Sequence, residues 1–298
     1  MTRCWLGALA LAAMAPAAEA QQGGPPMGWV SAVDGFVSYQ DDSDLDGGGS
    51  FTATRSYLRA GGLYRFESGH SAGLFVSAGQ LDYDFDIPGA RPWSDINDIR
   101  VSVPLRFPVG DRVSAFLVPS LRYDYESGVS ASDGRTYGAF AGLTWRVSDR
   151  LTIGPGVGFF TQIEDDDANV FPALLVDWDI TDRWRLSTGT GLGATQGPGI
   201  SLSYAYSDAL RVSFGARYEE LRFRLDDTGL APGGVGQDRS VPVVISVNYD
   251  PTPNMSLSAF AGAEFGGELQ LESAAGAVVS TQDYDTAPLF GLAFRVTF

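Results

Sequence analysis

From Leu289 to Phe298 every second residue is apolar: Phe290, Leu292, Phe294, Val296 and Phe298 alternate with Gly291, Ala293, Arg295 and Thr297. A period of two places the first set on one face of a β-strand and the second set on the other. A soluble sheet hides its apolar face against another layer, whereas a closed sheet in a bilayer turns that face outward to lipid and keeps the mixed face for water. Similar alternation recurs along the chain, so the reading is all-β: a transmembrane antiparallel up-and-down barrel. A soluble β-sandwich or solenoid is the competing fold, and its exposed aromatic faces would make it prone to aggregate.

Residues 1–20 have the three parts of a secretory signal: Arg3, an apolar run from Trp5 to Ala15, and Ala18-Glu19-Ala20 as a small-residue cleavage site. The run is too short to span a bilayer as a helix. Cys4, the one cysteine, would leave with the signal, so the mature chain carries no thiol chemistry. The expected organisation is a signal peptide at 1–20, a short segment at 21–28 with no room for a plug domain, and a barrel over 29–298. A net charge of −16 argues against nucleic acid as a partner, because phosphate binding needs a basic surface. All 20 basic residues are arginine.

Alternation and turn residues predict about fourteen strands, over 29–40, 52–66, 71–86, 96–109, 112–126, 135–148, 151–164, 169–181, 184–195, 198–207, 210–225, 238–250, 254–272 and 283–298. Connections alternate in length. Short ones such as Gly110-Asp111 and Ser207-Asp208 belong on the periplasmic side, and longer ones, such as 41–51, 165–168 and 226–237, belong outside the cell. Parity places Trp29, Phe66, Phe107, Trp145, Trp178, Trp184 and Phe298 in a lower aromatic girdle, and Tyr39, Tyr83, Phe85, Tyr125, Tyr137 and Tyr284 in an upper one. In the eleventh strand a bulge near Glu219-Glu220 is expected to restore Leu221, Phe223 and Leu225 to the lipid side.

The inward set mixes glycine and serine with charge, which predicts a polar, partly open lumen. Arg65, Arg106, Arg146, Arg185, Arg211 and Arg295 have inward parity near the periplasmic strand ends, either as a basic vestibule or as partners of carboxylates such as Asp179. At the outer end Glu264, Glu268, Glu272, Asp283 and Asp285 are expected to form an acidic wall facing Arg222 and Arg224. Like charges in a narrow mouth select solutes by sign.

No catalytic constellation is legible. The single histidine, His70, falls in a periplasmic turn, far from the outer rim where the histidine-dependent sites of barrel enzymes lie. No Cys/His cluster suits zinc. Asp42-Ser43-Asp44-Leu45-Asp46-Gly47 resembles the opening of a calcium loop, but Ala53 stands where the closing glutamate belongs. No cofactor and no metal is therefore expected.

The terminal Phe298 resembles the signal read by the barrel assembly machinery of Gram-negative bacteria. The mature chain resembles monomeric bacterial porins and other outer-membrane channels of about fourteen strands. Tyr218 to Asp227, Asp238 to Pro242, Gly266 to Glu272 and Asp283 to Pro288 together resemble a family of uncharacterised proteobacterial barrels. The fatty-acid transporter class has a similar strand number but carries a plug. These resemblances imply a monomer in the outer membrane, in contact with its lipids and lipopolysaccharide, passing small hydrophilic solutes. The alternative is a structural or adhesive barrel whose lumen is closed by salt bridges and whose acidic loops are the working surface.

Overall fold

The computed structural model describes residues 27–89, 91–189 and 198–298. The signal, most of 21–28 and residues 190–197 of the expected ninth strand and loop lie outside them. The fold is a closed antiparallel barrel of fourteen strands. They are β1 (Gly28–Asp44), β2 (Ser50–Arg65), β3 (Ser71–Asp86), β4 (Ile96–Ser102 and Leu105–Pro108), β5 (Val113–Glu126), β6 (Arg135–Ser148) and β7 (Leu151–Gln162). The circuit continues with β8 (Asp165–Asp179), β9 (Trp184–Gly189), β10 (Gly199–Ala205), β11 (Leu210–Arg217 and Glu219–Arg224), β12 (Val235–Thr252), β13 (Met255–Glu272) and β14 (Val278–Tyr284 and Ala287–Thr297). Three strands are interrupted. In β4 the break includes Pro104, which cannot donate to a ladder. Among the described residues, no helix is long and apolar enough to cross a membrane.

The seam closes between β1 and β14, in register from Ala32↔Thr297 to Gln40↔Leu289. Parity sorts the faces as expected over the lower two thirds. Trp29, Trp145, Trp178, Trp184 and Phe298 are exposed on the outside near the short turns, as are Leu58, Leu74, Leu174 and Leu292 higher up. The expected loop at 165–168 is instead a tight hairpin: Gln162 pairs with Asp165, and Glu164 takes a left-handed φ of 56°.

At the long-connection end the strands outrun a bilayer. β12 and β13 have 18 residues each, whereas a tilted transmembrane strand needs only about 9–11. Beyond the lipid an apolar side chain gains by turning inward, and a soluble-type core fills this end. Phe51, Tyr83, Phe85, Trp93, Phe223 and Tyr284 are its centre, with Ile96, Leu221, Leu225, Leu269 and Leu271 around them. Trp93 stands edge-on to Tyr83, Phe85 and Phe223, with ring centroids 5.5, 5.7 and 5.0 Å away. Aromatic pairs favour that geometry.

This core corrects two expectations. Tyr83, Phe85 and Tyr284 are interior residues and not members of an upper girdle; Tyr39 and Tyr137 are exposed as expected. Leu221, Phe223 and Leu225 also stay inside, because no bulge inverts β11. Arg217, Glu219, Leu221 and Phe223 keep one face throughout, while the strand leaves β10 at Tyr218 and continues beside β12 alone. Its upper half curves inward until Arg224 pairs in parallel with Tyr125 of β5. The wall thus closes a second time, from β5 directly to β11, and β6–β10 are left outside this smaller ring.

Candidate functional site: the barrel interior

The inward side chains fall into three levels. Beneath the apolar core, two ion networks fill the section. Arg55 of β2 meets Glu219 at 2.6 Å, Glu264 at 3.1 Å and Asp238 at 3.4 Å. Tyr83 and Tyr284 donate their hydroxyls to Asp238 at 2.7 and 3.0 Å, Ser240 donates to Glu264 at 3.1 Å, and Arg217 reaches Glu219 at 2.5 Å. On the facing wall Asp98 lies 3.3 Å from Arg122 and 3.7 Å from Arg100, and Arg122 is 2.5 Å from Asp124. These side chains keep 12% of their surface or less. Charges so deeply withdrawn from water are tolerable only because they are mutually paired and hydrogen-bonded.

Beside these networks runs an aromatic ladder. Phe116, Phe140 and Phe171 stack in sequence across β5, β6 and β8, with centroids 5.5 and 6.2 Å apart, and Phe160 follows at 6.2 Å. The glycines of β6 and β7 make room for it. A Cβ on Gly142 would stand 2.7 Å from Cζ of Phe116, and one on Gly156 would stand 2.7 Å from Cζ of Phe140. The glycine run that the sequence assigns to an open lumen is thus the floor under buried rings.

The third level, at the short-turn end, is wet. Arg295 and Arg211 keep 46% and 41% of their side-chain surface, against 9% for Arg100 and Arg122 above. The six arginines of the expected basic vestibule all belong to this level, and they divide equally. Arg185 binds Asp177 through two hydrogen bonds of 2.8 and 2.7 Å and lies 3.8 Å from Asp179; Arg211 reaches Asp250 at 3.1 Å; Arg295 reaches Asp34 at 3.4 Å. Arg65, Arg106 and Arg146 have no carboxylate within ion-pair distance among the described residues, and Arg106 donates only to Ser114 at 3.1 Å. Above them Arg59 holds Asp34 at 2.5 and 2.9 Å.

The expected acidic wall is not assembled as one surface. Glu264 is wholly buried against Arg55. Glu268 pairs with Arg239, and Glu272 binds Arg222 at 2.5 and 2.9 Å. Asp283 and Asp285 are exposed on either side of buried Tyr284 and do not face Arg222 or Arg224. Two irregularities invert parity. A bulge at Gly266, which has φ of 59°, carries Glu268 and Glu272 off the inner face, and the break of β14 at Asp285-Thr286 does the same for Asp283 and Asp285. Arg222 and Arg224 occupy the outer face of the small ring and fasten it to its surroundings. Arg222 donates to the Ile163 carbonyl at 3.1 Å; Arg224 binds Glu164 at 2.6 Å and donates to the Asp133 carbonyl at 3.1 Å.

Sequence reasoning missed Arg55, although its parity with Arg59 was readable, and it gave no sign that Glu219, Asp238 and Glu264 converge there. Asp42 and Asp44 of the calcium-like segment lie in the end of β1, after which Leu45 enters the apolar core. His70 is exposed in its turn and contacts Ser68 at 2.8 Å.

No family model matches the chain, and no curated protein does. Among solved structures it is similar to an outer-membrane channel from Pseudomonas putida F1 (12% identity, TM-score 0.49, 92% of this chain and 97% of that one). It is also similar to a FadL homologue of Pseudomonas aeruginosa (13% identity, TM-score 0.48, 90% of each chain) and to the KdgM porin in complex with oligogalacturonate (11% identity, TM-score 0.38, 90% and 99%).

Proposed function

We propose that this protein is a monomeric outer-membrane channel for small hydrophilic solutes, with its short-turn end in the periplasm, and that its outer half is held shut. The observation that carries the reading is the split among the inward arginines. Those of the outer half are buried in paired networks, while Arg65, Arg106 and Arg146 stand in a wet vestibule with no carboxylate among the described residues to neutralise them. A barrel that serves only as a wall gains nothing from three uncompensated cations on its inner face. A channel does gain, because fixed charge in a confined space concentrates counter-ions. The contacts of Arg222 with Ile163 and of Arg224 with Glu164 bind the small ring to the β7–β8 hairpin and serve as latches. Export through the signal peptide, assembly through Phe298, and contact of the outer rim with lipopolysaccharide belong to the same proposal.

A second reading, a closed structural barrel, is favoured by the apolar core and the ion networks. Single-channel conductance of the refolded protein separates the two. The channel reading expects low or intermittent conductance in the wild type and frequent opening after Arg222→Gln with Arg224→Gln. Silence in both proteins would establish the closed barrel.

A further inference from the structure

The geometry points to a binding site for small soluble oxyanions, carboxylate or phosphate in type, formed by Arg65, Arg106 and Arg146 on the inner wall at the short-turn end. Three observations meet there. The first is register: Arg65 of β2 pairs with Ser71 of β3, and Ser71 pairs with Arg106 of β4, so the three side chains share one row and one face. Alternate strands lie roughly 10 Å apart, a span that two extended arginines close from either side. Arg146 continues the arc on β6.

The second is charge. The chain carries 36 acidic residues against 20 basic ones, so a carboxylate is the commoner neighbour to offer any arginine. The other inward arginines described above each have one. Arg65 and Arg106 instead feel each other's positive charge, and so do Arg106 and Arg146. Like charges held together cost stability unless an anion joins them.

The third is the rest of the lining. Ser71 and Ser114 alternate with the guanidinium groups on the same face, and Thr144 faces Ser114 across β5 and β6. Arg106 already donates to Ser114 at 3.1 Å, which aims its fork along the wall. Planar guanidinium forks match the paired oxygens of carboxylates and phosphates, and hydroxyls complete the hydrogen bonding that such anions accept. Lipid headgroups are separated from the site by the wall, since Tyr64, Phe66, Phe107 and Trp145, the neighbours of these arginines in sequence, point outward.

The site rests on the channel reading for its purpose, which is to select anionic solutes at the periplasmic mouth, but its occupancy can be measured without any current. Refolded full-length protein is unfolded by heat in sodium sulfate and in sodium chloride at matched ionic strength, alongside the Arg65→Gln, Arg106→Gln, Arg146→Gln variant. Sulfate stabilises folded proteins even without a site, so the wild-type midpoint is expected to rise over chloride by about 2–4 °C more than the variant's does. In chloride the variant should unfold at the wild-type temperature or above it, because repulsion has been removed. Arg106→Gln alone supplies the same comparison if the triple variant folds poorly, and Arg106→Lys should keep part of the excess sulfate shift. A variant that loses stability in chloride while keeping the full sulfate shift would overturn the site and make these arginines structural. An excess sulfate shift in a protein that never conducts would leave the site standing and remove the channel.

Discussion

Phe298 closes the barrel against Ser31: its amide donates to the Ser31 carbonyl at 2.8 Å, and its own carbonyl accepts from the Ser31 amide at 3.1 Å. The last residue, 74% exposed, therefore completes the seam with its backbone, while its ring points to the lipid side. The two roles can be separated by mutation. Phe298→Ala keeps both hydrogen bonds and should lower the amount of barrel reaching the outer membrane with little effect on the folded form. Deleting the residue also removes two backbone bonds, at about 1 kcal/mol each. Outer-membrane yield in cells, set against the unfolding midpoint of refolded protein, measures both effects.

Arg55 is the cation around which Glu219, Asp238 and Glu264 are buried. Arg55→Met fills a similar volume and leaves the buried carboxylates of Asp238 and Glu264 without their cation, while Glu219 keeps Arg217. Breaking a buried pair costs about 3–5 kcal/mol, so the midpoint of urea unfolding should fall steeply. Adding Glu264→Gln to Arg55→Met should restore part of the loss. An equal loss in single and double variants would show that packing around Arg55, and not its charge, sustains this level.

The glycine floor of the aromatic ladder makes a local test. Gly156→Ala places a methyl group against the Phe140 ring, and overpacking of this kind costs about 1–3 kcal/mol. Phe140→Leu with Gly156→Ala should recover stability relative to the single alanine variant. Thermal unfolding followed by the electrophoretic shift of the folded barrel gives the readout.

If Arg65, Arg106 and Arg146 set the sign of the vestibule, replacing all three by Gln should move the reversal potential in a salt gradient toward cation preference. High salt should blunt the wild-type preference, since screening contracts to about 3 Å near 1 M. An unchanged reversal potential would place the selective section elsewhere.

The strand number and the lipid-facing residues were legible because a bilayer enforces a period of two over every strand it touches; Trp145, Leu174 and Ile245 could not face inward without emptying the outer surface of apolar groups. Above the bilayer that constraint ends, and nothing in the alternation marks where. Tyr83 and Phe85 share the parity of Phe75, which faces inward below them, so strict alternation along β3 already places them inside; aromatic character near a strand end suggested a girdle and outweighed it. The inversion at Gly266 was hidden for another reason: a glycine in a Gly-rich strand does not announce its φ. Arg55 and Glu219 are 164 residues apart, and their meeting depends on the inward course of β11, which follows from a pairing change at Tyr218 and not from a local motif.

The second closure of the wall, where Arg224 meets Tyr125, orders events in time. The inner ring joins strands from both halves of the chain: Arg55 and Glu219 are separated by 164 residues. Contacts so distant in sequence form slowly, because the intervening chain must be brought into place before they return any free energy. The large circuit must close its own still more distant seam, Ala32 against Thr297, before the inner ring has opposite walls to join. A newly inserted barrel would therefore pass through a stage in which its wall is complete and its outer section is still unfilled. The apolar core and ion networks of that outer section would be the last part to fold.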